Sequence, residues 1–366
     1  MSFVNVSSNE SDFVYTPPFT GVGVIVSTII LIPLAVFGTL ANCLTIFVIS
    51  TSPKLKSTFN YFILSLCVSD LVSALISPLF LYRRTWGFDN WEASDFLCKV
   101  FWGLDLWTSY ITSTHILCFA SLRYVSVQWP HRFNAIKPTQ AKLVILVIYV
   151  ITFLVGFLPF AIWFGASKRD RSSTLPNAKW PSCTLNIEWL PQFKLYTQLG
   201  YSLFFFLPIF LVILLSIGIV IKIFQMRRAR KKMISKSAND GEVTVEKRRR
   251  RKEKQIILQL VLIVGSFLLG YTPHAVFHYW TVNVKAISYQ QKVFDWWFGS
   301  VEYFCLRISE CLNPVFYNLA SSKMRKETTK TIHRIWKRTS CSAAITSQSN
   351  TMATNSSTSS PNNLQL

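Results

Sequence analysis

The chain has 366 residues, is 51% hydrophobic and carries a formal net charge of +21. Its apolar residues gather in runs of about twenty with the charges between them, which excludes a soluble domain of alternating polarity and suits helices that cross a bilayer core about 30 Å thick. Lys and Arg lie in a few loops beside those runs, with no groove-reading or base-stacking motif, so nucleic acid is not an expected partner. The eight cysteines show no C-x-x-C pair, and no metal site is expected from them.

Residues 1–21 are polar, acidic and free of Lys and Arg, with sequons at Asn5-Val6-Ser7 and Asn9-Glu10-Ser11. An extracellular tail glycosylated at Asn5 and Asn9 is expected. No basic region followed by an apolar one marks a cleavable signal peptide. Apolar spans follow at 22–50, 59–82, 95–127, 141–164, 195–225, 255–282 and 295–320. Only helices and closed barrels satisfy the backbone in lipid, and these runs are too long and uniform for barrel strands. The predicted fold class is therefore an all-α membrane protein, a bundle of seven helices over residues 22–320.

The loops set its orientation. Lys54 and Lys56 follow span one, and Arg132, Lys137 and Lys142 follow span three. Span five runs into Arg227, Arg228, Arg230, Lys231 and Lys232, and the unbroken basic run Lys247 to Lys252 precedes span six. Lys323, Arg325, Lys326 and Lys330 follow span seven. These segments all fall on one side, which the positive-inside rule makes the cytoplasm. The amino terminus is then outside, in a multi-pass protein of the plasma membrane. Lys168 to Arg171, in a predicted outer loop, run against the pattern.

Residues 321–341 place Met324, Ile332, Ile335 and Trp336 among basic residues, which predicts an amphipathic helix on the anionic leaflet, with membrane lipid as its partner. Cys341 reads as a palmitoylation site or as a free cytosolic thiol. Residues 342–366 are rich in Ser, Thr, Asn and Gln and are expected to be a disordered, phosphorylatable tail.

Polar residues inside membrane helices are costly and mark function by default. Here they are Asn42, Asp70, Asp105, Arg123, Arg307, Glu310 and Asn313. Asn42 sits in G-T-L-A-N, Asp70 in L-S-L-C-V-S-D, and Arg123-Tyr124 ends the span that Cys98 begins. Pro208 lies in span five, Pro273 in G-Y-T-P of span six, and Asn313-Pro314-Val315-Phe316-Tyr317 ends span seven. In this order and placement the chain resembles the rhodopsin-like G-protein-coupled receptors from about residue 22 to 337.

That resemblance implies several roles. Asp70, Thr112, Ser309 and Asn313, with Glu310 beside them, would form a hydrated polar core able to hold sodium. Cys98 and Cys183 would form the disulfide that ties the second outer loop to helix three. Pro208, Pro273 and Pro314 would permit helix bending. Arg123, with Tyr124 and Tyr317, would belong to the activation machinery, and Glu253 at the foot of helix six would restrain Arg123. Leu122 departs from the family, which usually keeps an acid there. The implied partners are an extracellular ligand, a heterotrimeric G protein, arrestin and receptor kinases; no cofactor is implied.

Asp105 lies five turns above Arg123 on the same helix face, where receptors for biogenic amines pair an Asp with the ligand ammonium. Ser109, Tyr201, Phe204, Tyr271, His274, His278 and Tyr303 would surround it, since aromatic faces and one carboxylate suit a small cation. The nearest resemblance is to the histamine and muscarinic branch, with a divergent pocket. Arg307 stands where amine receptors keep a Tyr, and Tyr271 where they keep a Trp. Arg307 would pair either with Asp105 across the bundle or with Glu310 at i,i+3.

An amine or another small molecule is thus the expected ligand. A peptide or lipid is the alternative, left open by Trp180, Trp189, Trp296 and Trp297 at the outer ends. A transporter with Asp70, Asp105, Arg307 and Glu310 on an ion path would need internal repeats, which are not apparent. An intramembrane enzyme would need a nucleophile–base pair at depth, and there only His115 offers one half.

Overall fold

The computed structural model describes residues 16–166, 181–234, 240–284 and 288–337. Asn5, Asn9, the Lys168 to Arg171 stretch, Trp180, Cys341 and the 342–366 tail lie outside the described residues.

Among the described residues seven long helices form an α-bundle. Helix α1 (Gly21–Thr51) is capped by Thr20, whose hydroxyl accepts from Gly23 N at 3.2 Å. Ser57 caps α2 (Thr58–Arg84), and Ser94 caps α3 (Asp95–Gln128), where Asp95 also pairs with Lys99 at 2.7 Å. Helix α4 (Pro138–Trp163) opens on a proline, where the missing N–H costs nothing. Helix α5 joins Leu190–Tyr201, a π-turn at Ser202–Phe206 and Leu207–Ile234. Helices α6 (Asp240–Asn283) and α7 (Tyr289–Ala320) follow, with Pro273 and Pro314 inside them. A further helix, α8, covers 322–337.

Two prolines explain two irregularities. A proline inside a helix clashes with the carbonyl four residues back and leaves it without a donor. Pro159 and Pro208 each follow a π-turn, at Phe153–Phe157 and Ser202–Phe206, that contains this carbonyl. The wider turn absorbs the clash without ending the helix.

Helices α1, α2, α4, α5 and α6 are apolar enough to cross a membrane by composition alone. Helices α3 and α7 are not, because α3 is rich in Ser and Thr besides Asp105 and Arg123, and α7 carries Glu302, Arg307 and Glu310. These side chains face the bundle interior: Arg307 and Glu310 are each 1% exposed. Exposed Val36, Leu146, Ile217 and Leu269 cover the outer faces instead, as a hydrocarbon solvent requires.

The helices overrun the apolar spans. The largest difference is at α6, which begins at Asp240 and takes in the basic run that composition places in a loop. Lys, Arg and Glu are strong helix formers, so the helix continues where the hydrophobic signal has stopped.

Helices α1, α2 and α7 meet at Gly38. A Cβ there would stand 2.6 Å from Cys311 Sγ and 3.2 Å from Ala74 Cβ. Gly38→Val is therefore expected to push α1 off the bundle, at a cost of about 1–3 kcal/mol. A lower melting temperature of the detergent-solubilised variant would show this; an unchanged one would mean that α1 shifts freely.

At the end of the bundle where α3 begins, a short hairpin pairs β1 (Phe164–Ala166) with β2 (Cys183–Leu185), antiparallel, with Phe164 opposite Leu185. A Cys98–Cys183 disulfide ties it to the top of α3. Arg83 Nε adds a second anchor, donating to the Cys183 carbonyl at 2.6 Å.

Candidate functional site

The site is a column of polar groups between α2, α3, α6 and α7, with a cavity above it. Lowest is Asp70, whose carboxylate accepts from Asn313 Nδ2 at 2.9 Å and from Thr112 Oγ1 at 3.4 Å. Ser309, grouped with them by resemblance, takes another partner: its Oγ accepts from Ser266 of α6 at 3.0 Å. The oxygens of Asp70 and Thr112 fit a sodium ion, a hard cation that binds oxygen ligands and would neutralise Asp70 when bound.

Arg307 dominates the next level. Its Nη2 donates to Asp105 Oδ1 and its Nη1 to Glu310 Oε2, both at 2.7 Å. The two pairings weighed from the sequence therefore coexist, because a guanidinium presents donors in a planar fork. Glu310 also accepts from Ser73 Oγ at 2.6 Å and from Tyr271 OH at 2.9 Å. Arg307 lies over the Tyr303 ring at 4.4 Å, and Tyr303 stacks on Phe80 at 3.5 Å. Buried charge is tolerated here because each carboxylate has the cation and Glu310 has two further donors.

A cavity of about 370 Å³ opens above this cluster. Of the residues proposed for the pocket, Asp105, His274, His278 and Tyr303 line it. The others serve elsewhere. Ser109 donates to the Asp105 carbonyl at 2.8 Å, within its own helix. Phe204 stacks on Tyr110 at 4.4 Å, and Tyr271 belongs to the Glu310 network. Tyr201 is fully buried behind the wall, with its ring 4.9 Å from that of His278.

Sequence reasoning missed much of the lining. Aromatic walls come from Phe80, Phe101, Trp102, Phe164, Phe193 and Phe277, and charges of both signs from Arg83, Arg84, Lys194 and Glu302. Arg83 and Arg84 ended an apolar span and carried no motif. Glu302 lies two turns before Ser309 on α7, a spacing that could have marked it as inward-facing. It faces His274, with Oε2 2.9 Å from Nδ1. His115 is satisfied by Ser65 Oγ at 2.9 Å and the Ile111 carbonyl at 2.8 Å, so it packs as a structural residue.

The end of the bundle that holds Arg123 departs from expectation. Glu253 does not touch Arg123; it pairs with Arg227 at 2.9 Å and with Arg230, both on α5. Arg123 instead donates to Gln259 of α6 and lies over Phe59 at 4.4 Å. Glu253 sits nearly two turns beyond Gln259, where the extended α5 presents cations to it directly. Leu122 packs with Phe62, Ala141 and Ile148, an apolar setting that an acid would disrupt. Tyr124 lies beside Trp129, with ring centroids 5.9 Å apart, and Tyr317 is buried in the main core.

The bundle, the polar column and the NPVFY end of α7 together define the class. The chain belongs to the 7 transmembrane receptors of the rhodopsin family, which it matches over residues 41–317. It is thus a multi-pass membrane receptor that couples an extracellular ligand to G proteins, and not an enzyme. Among relatives, growth hormone secretagogue receptor type 1 of Sus scrofa is 27% identical over 315 residues, covering 85% of this chain and 80% of that protein. The neuromedin U receptor homolog nmur-2 of Caenorhabditis elegans is 22% identical, with the same two coverages of 85% and 80%. The allatostatin-A receptor of Bombyx mori is 25% identical over 294 residues, 80% of this chain and 75% of that protein.

Proposed function

We propose that the extracellular ligand is a peptide, not the small amine that Asp105 first suggests. One observation carries this reading: Asp105 is already held by Arg307 at 2.7 Å. An ammonium would have to displace a guanidinium that also binds Glu310. The cavity instead offers aromatic walls with Arg83, Arg84, Lys194 and Glu302, which suits a ligand bearing both charges along its length. Thr184 and Leu185 of β2 line the cavity, where an extended chain could lie. Two relatives take their names from neuromedin U and allatostatin-A, which are peptides.

The test is G-protein activation in cells expressing the chain, challenged with peptide fractions before and after protease digestion. Activity that protease destroys is the expected result. Activity confined to a protease-resistant cationic fraction would overturn the peptide reading and restore the amine branch.

The rest of the reading follows the receptor topology. The amino terminus is outside and glycosylated at Asn5 or Asn9, and the G protein docks where Arg123, Tyr124 and Gln259 meet. Receptor kinases and arrestin act on residues 342–366. Helix α8 lies on the inner leaflet, with Ile332, Ile335 and Trp336, exposed in the structure, set into lipid. Asp70, Thr112 and Asn313 form the ion-sensitive core below the pocket.

The Arg123–Gln259 contact ties α3 to α6 in the resting state. A hydrogen bond to a charged group contributes about 1.5–3 kcal/mol. Gln259→Ala is expected to raise ligand-independent G-protein activation roughly tenfold at matched surface expression, since about 1.4 kcal/mol is a factor of ten in a two-state equilibrium. Glu253→Ala is expected to do less, because it frees α5 cations and leaves Arg123 held. The reverse order of effects would place the restraint at Glu253.

A further inference from the structure

His274 and His278 stand four residues apart on α6, so both imidazoles leave the same helix face. Glu302 of α7 lies opposite. One possible ligand atom from each of the three lies within 4.8 Å of the other two. His274 Nδ1 and Glu302 Oε2 are 2.9 Å apart, and the two imidazole ring centres 4.5 Å. All three residues line the cavity.

We propose that His274, His278 and Glu302 form a zinc-binding site in the cavity wall, with one coordination position open to the cavity. The donor set favours this ion. Two imidazoles and one carboxylate are a common zinc set when a fourth position is left for water or a ligand, and histidines at i,i+4 bring two donors to one helix face. Bound at about 2.0–2.1 Å from each donor, a tetrahedral ion holds neighbouring ligand atoms a little over 3 Å apart. The His274–Glu302 pair needs to open only slightly, the ion taking the place of the proton between them.

The burial agrees. His274 and Glu302 are 2% and 3% exposed, and among the described residues His274 Nε2 has no hydrogen-bond partner. The Glu302 contact is thus the one hydrogen bond shown to fix this buried ring, and a cation would bind where water competes little. The open position would take a water, or a carboxylate or imidazole from the extracellular ligand. Zinc would then bridge ligand and α6, the helix whose movement opens the family's cytoplasmic cavity.

The proposal does not rest on the peptide reading, and its test contains no peptide. Full-length receptor in nanodiscs is titrated with zinc chloride, and its melting temperature is read from tryptophan fluorescence. The melting temperature is expected to rise with zinc and to fall back on adding EDTA. His278→Ala and Glu302→Gln should each abolish the rise, while His131→Ala, at the cytoplasmic loop, should keep it. If Glu302→Gln fails to fold, His278→Ala decides alone, because that ring is only half-buried. No rise in the wild type, or a rise that survives in His278→Ala, overturns the site.

Discussion

Arg307→Ala is expected to remove most of the receptor from the cell surface. It would leave Asp105 and Glu310 buried with no cation, and breaking such a pair costs about 3–5 kcal/mol. That is a large share of the roughly 5–15 kcal/mol that stabilises a typical domain. Arg307→Lys should restore enough surface expression to be assayed but not all of it, because an ammonium is a point charge and cannot fork between two carboxylates. Adding Asp105→Asn to Arg307→Ala should restore part of the expression, and adding Glu310→Gln as well should restore more. Quantitative surface labelling of the series measures this. A single variant that reaches the surface like wild type, with no gain from the added substitutions, would mean that the cluster contributes nothing to the fold.

The second large effect is at the disulfide. The Cys98–Cys183 bond closes a stretch of chain 85 residues long in sequence separation. Its loss is expected to cost about 2–5 kcal/mol. It also releases β2, whose Thr184 and Leu185 form part of the cavity lining. Cys98→Ser and Cys183→Ser should therefore lower the melting temperature equally, and the double variant should be no worse than either, since all three remove one bond. Unequal singles, or a double that adds their losses, would assign the cysteines separate roles.

The bundle was legible in the sequence because hydrocarbon forces long uniform runs, and the position of each motif followed from its run. Helices α3 and α7 show the limit of that signal. Their polar residues face inward, so composition understates them and the motifs must identify them. The extension of α6 back to Asp240 was not legible, because a charged run reads alike as loop or as helix. The pocket divided in the same way. Asp105 was placed by its depth on the Arg123 face of α3 and His274 by the resemblance, but Ser109 and Phe204 fell to ordinary packing because spacing cannot say which neighbour a side chain meets. Arg83 and Arg84 were missed because nothing in a span's end says that the chain turns them inward. Arg307 could be seen to need a partner; that it would take both required the geometry of the fork. Glu253 was misplaced because the reach of α5, which supplies its partners, lay beyond the apolar run.

Asp105 is occupied from within the bundle, by Arg307. The most direct measurement is G-protein activation of wild-type receptor by a panel of biogenic amines, repeated on Asp105→Asn and on a charge-preserving Arg307→Lys variant. No amine is expected to activate the wild type, because Arg307 holds the carboxylate that an ammonium needs. Arg307→Lys, with a looser hold on Asp105, is expected to be the variant more open to an amine. Strong activation of the wild type by a simple amine, lost in Asp105→Asn and unchanged in Arg307→Lys, would contradict this occupancy of Asp105.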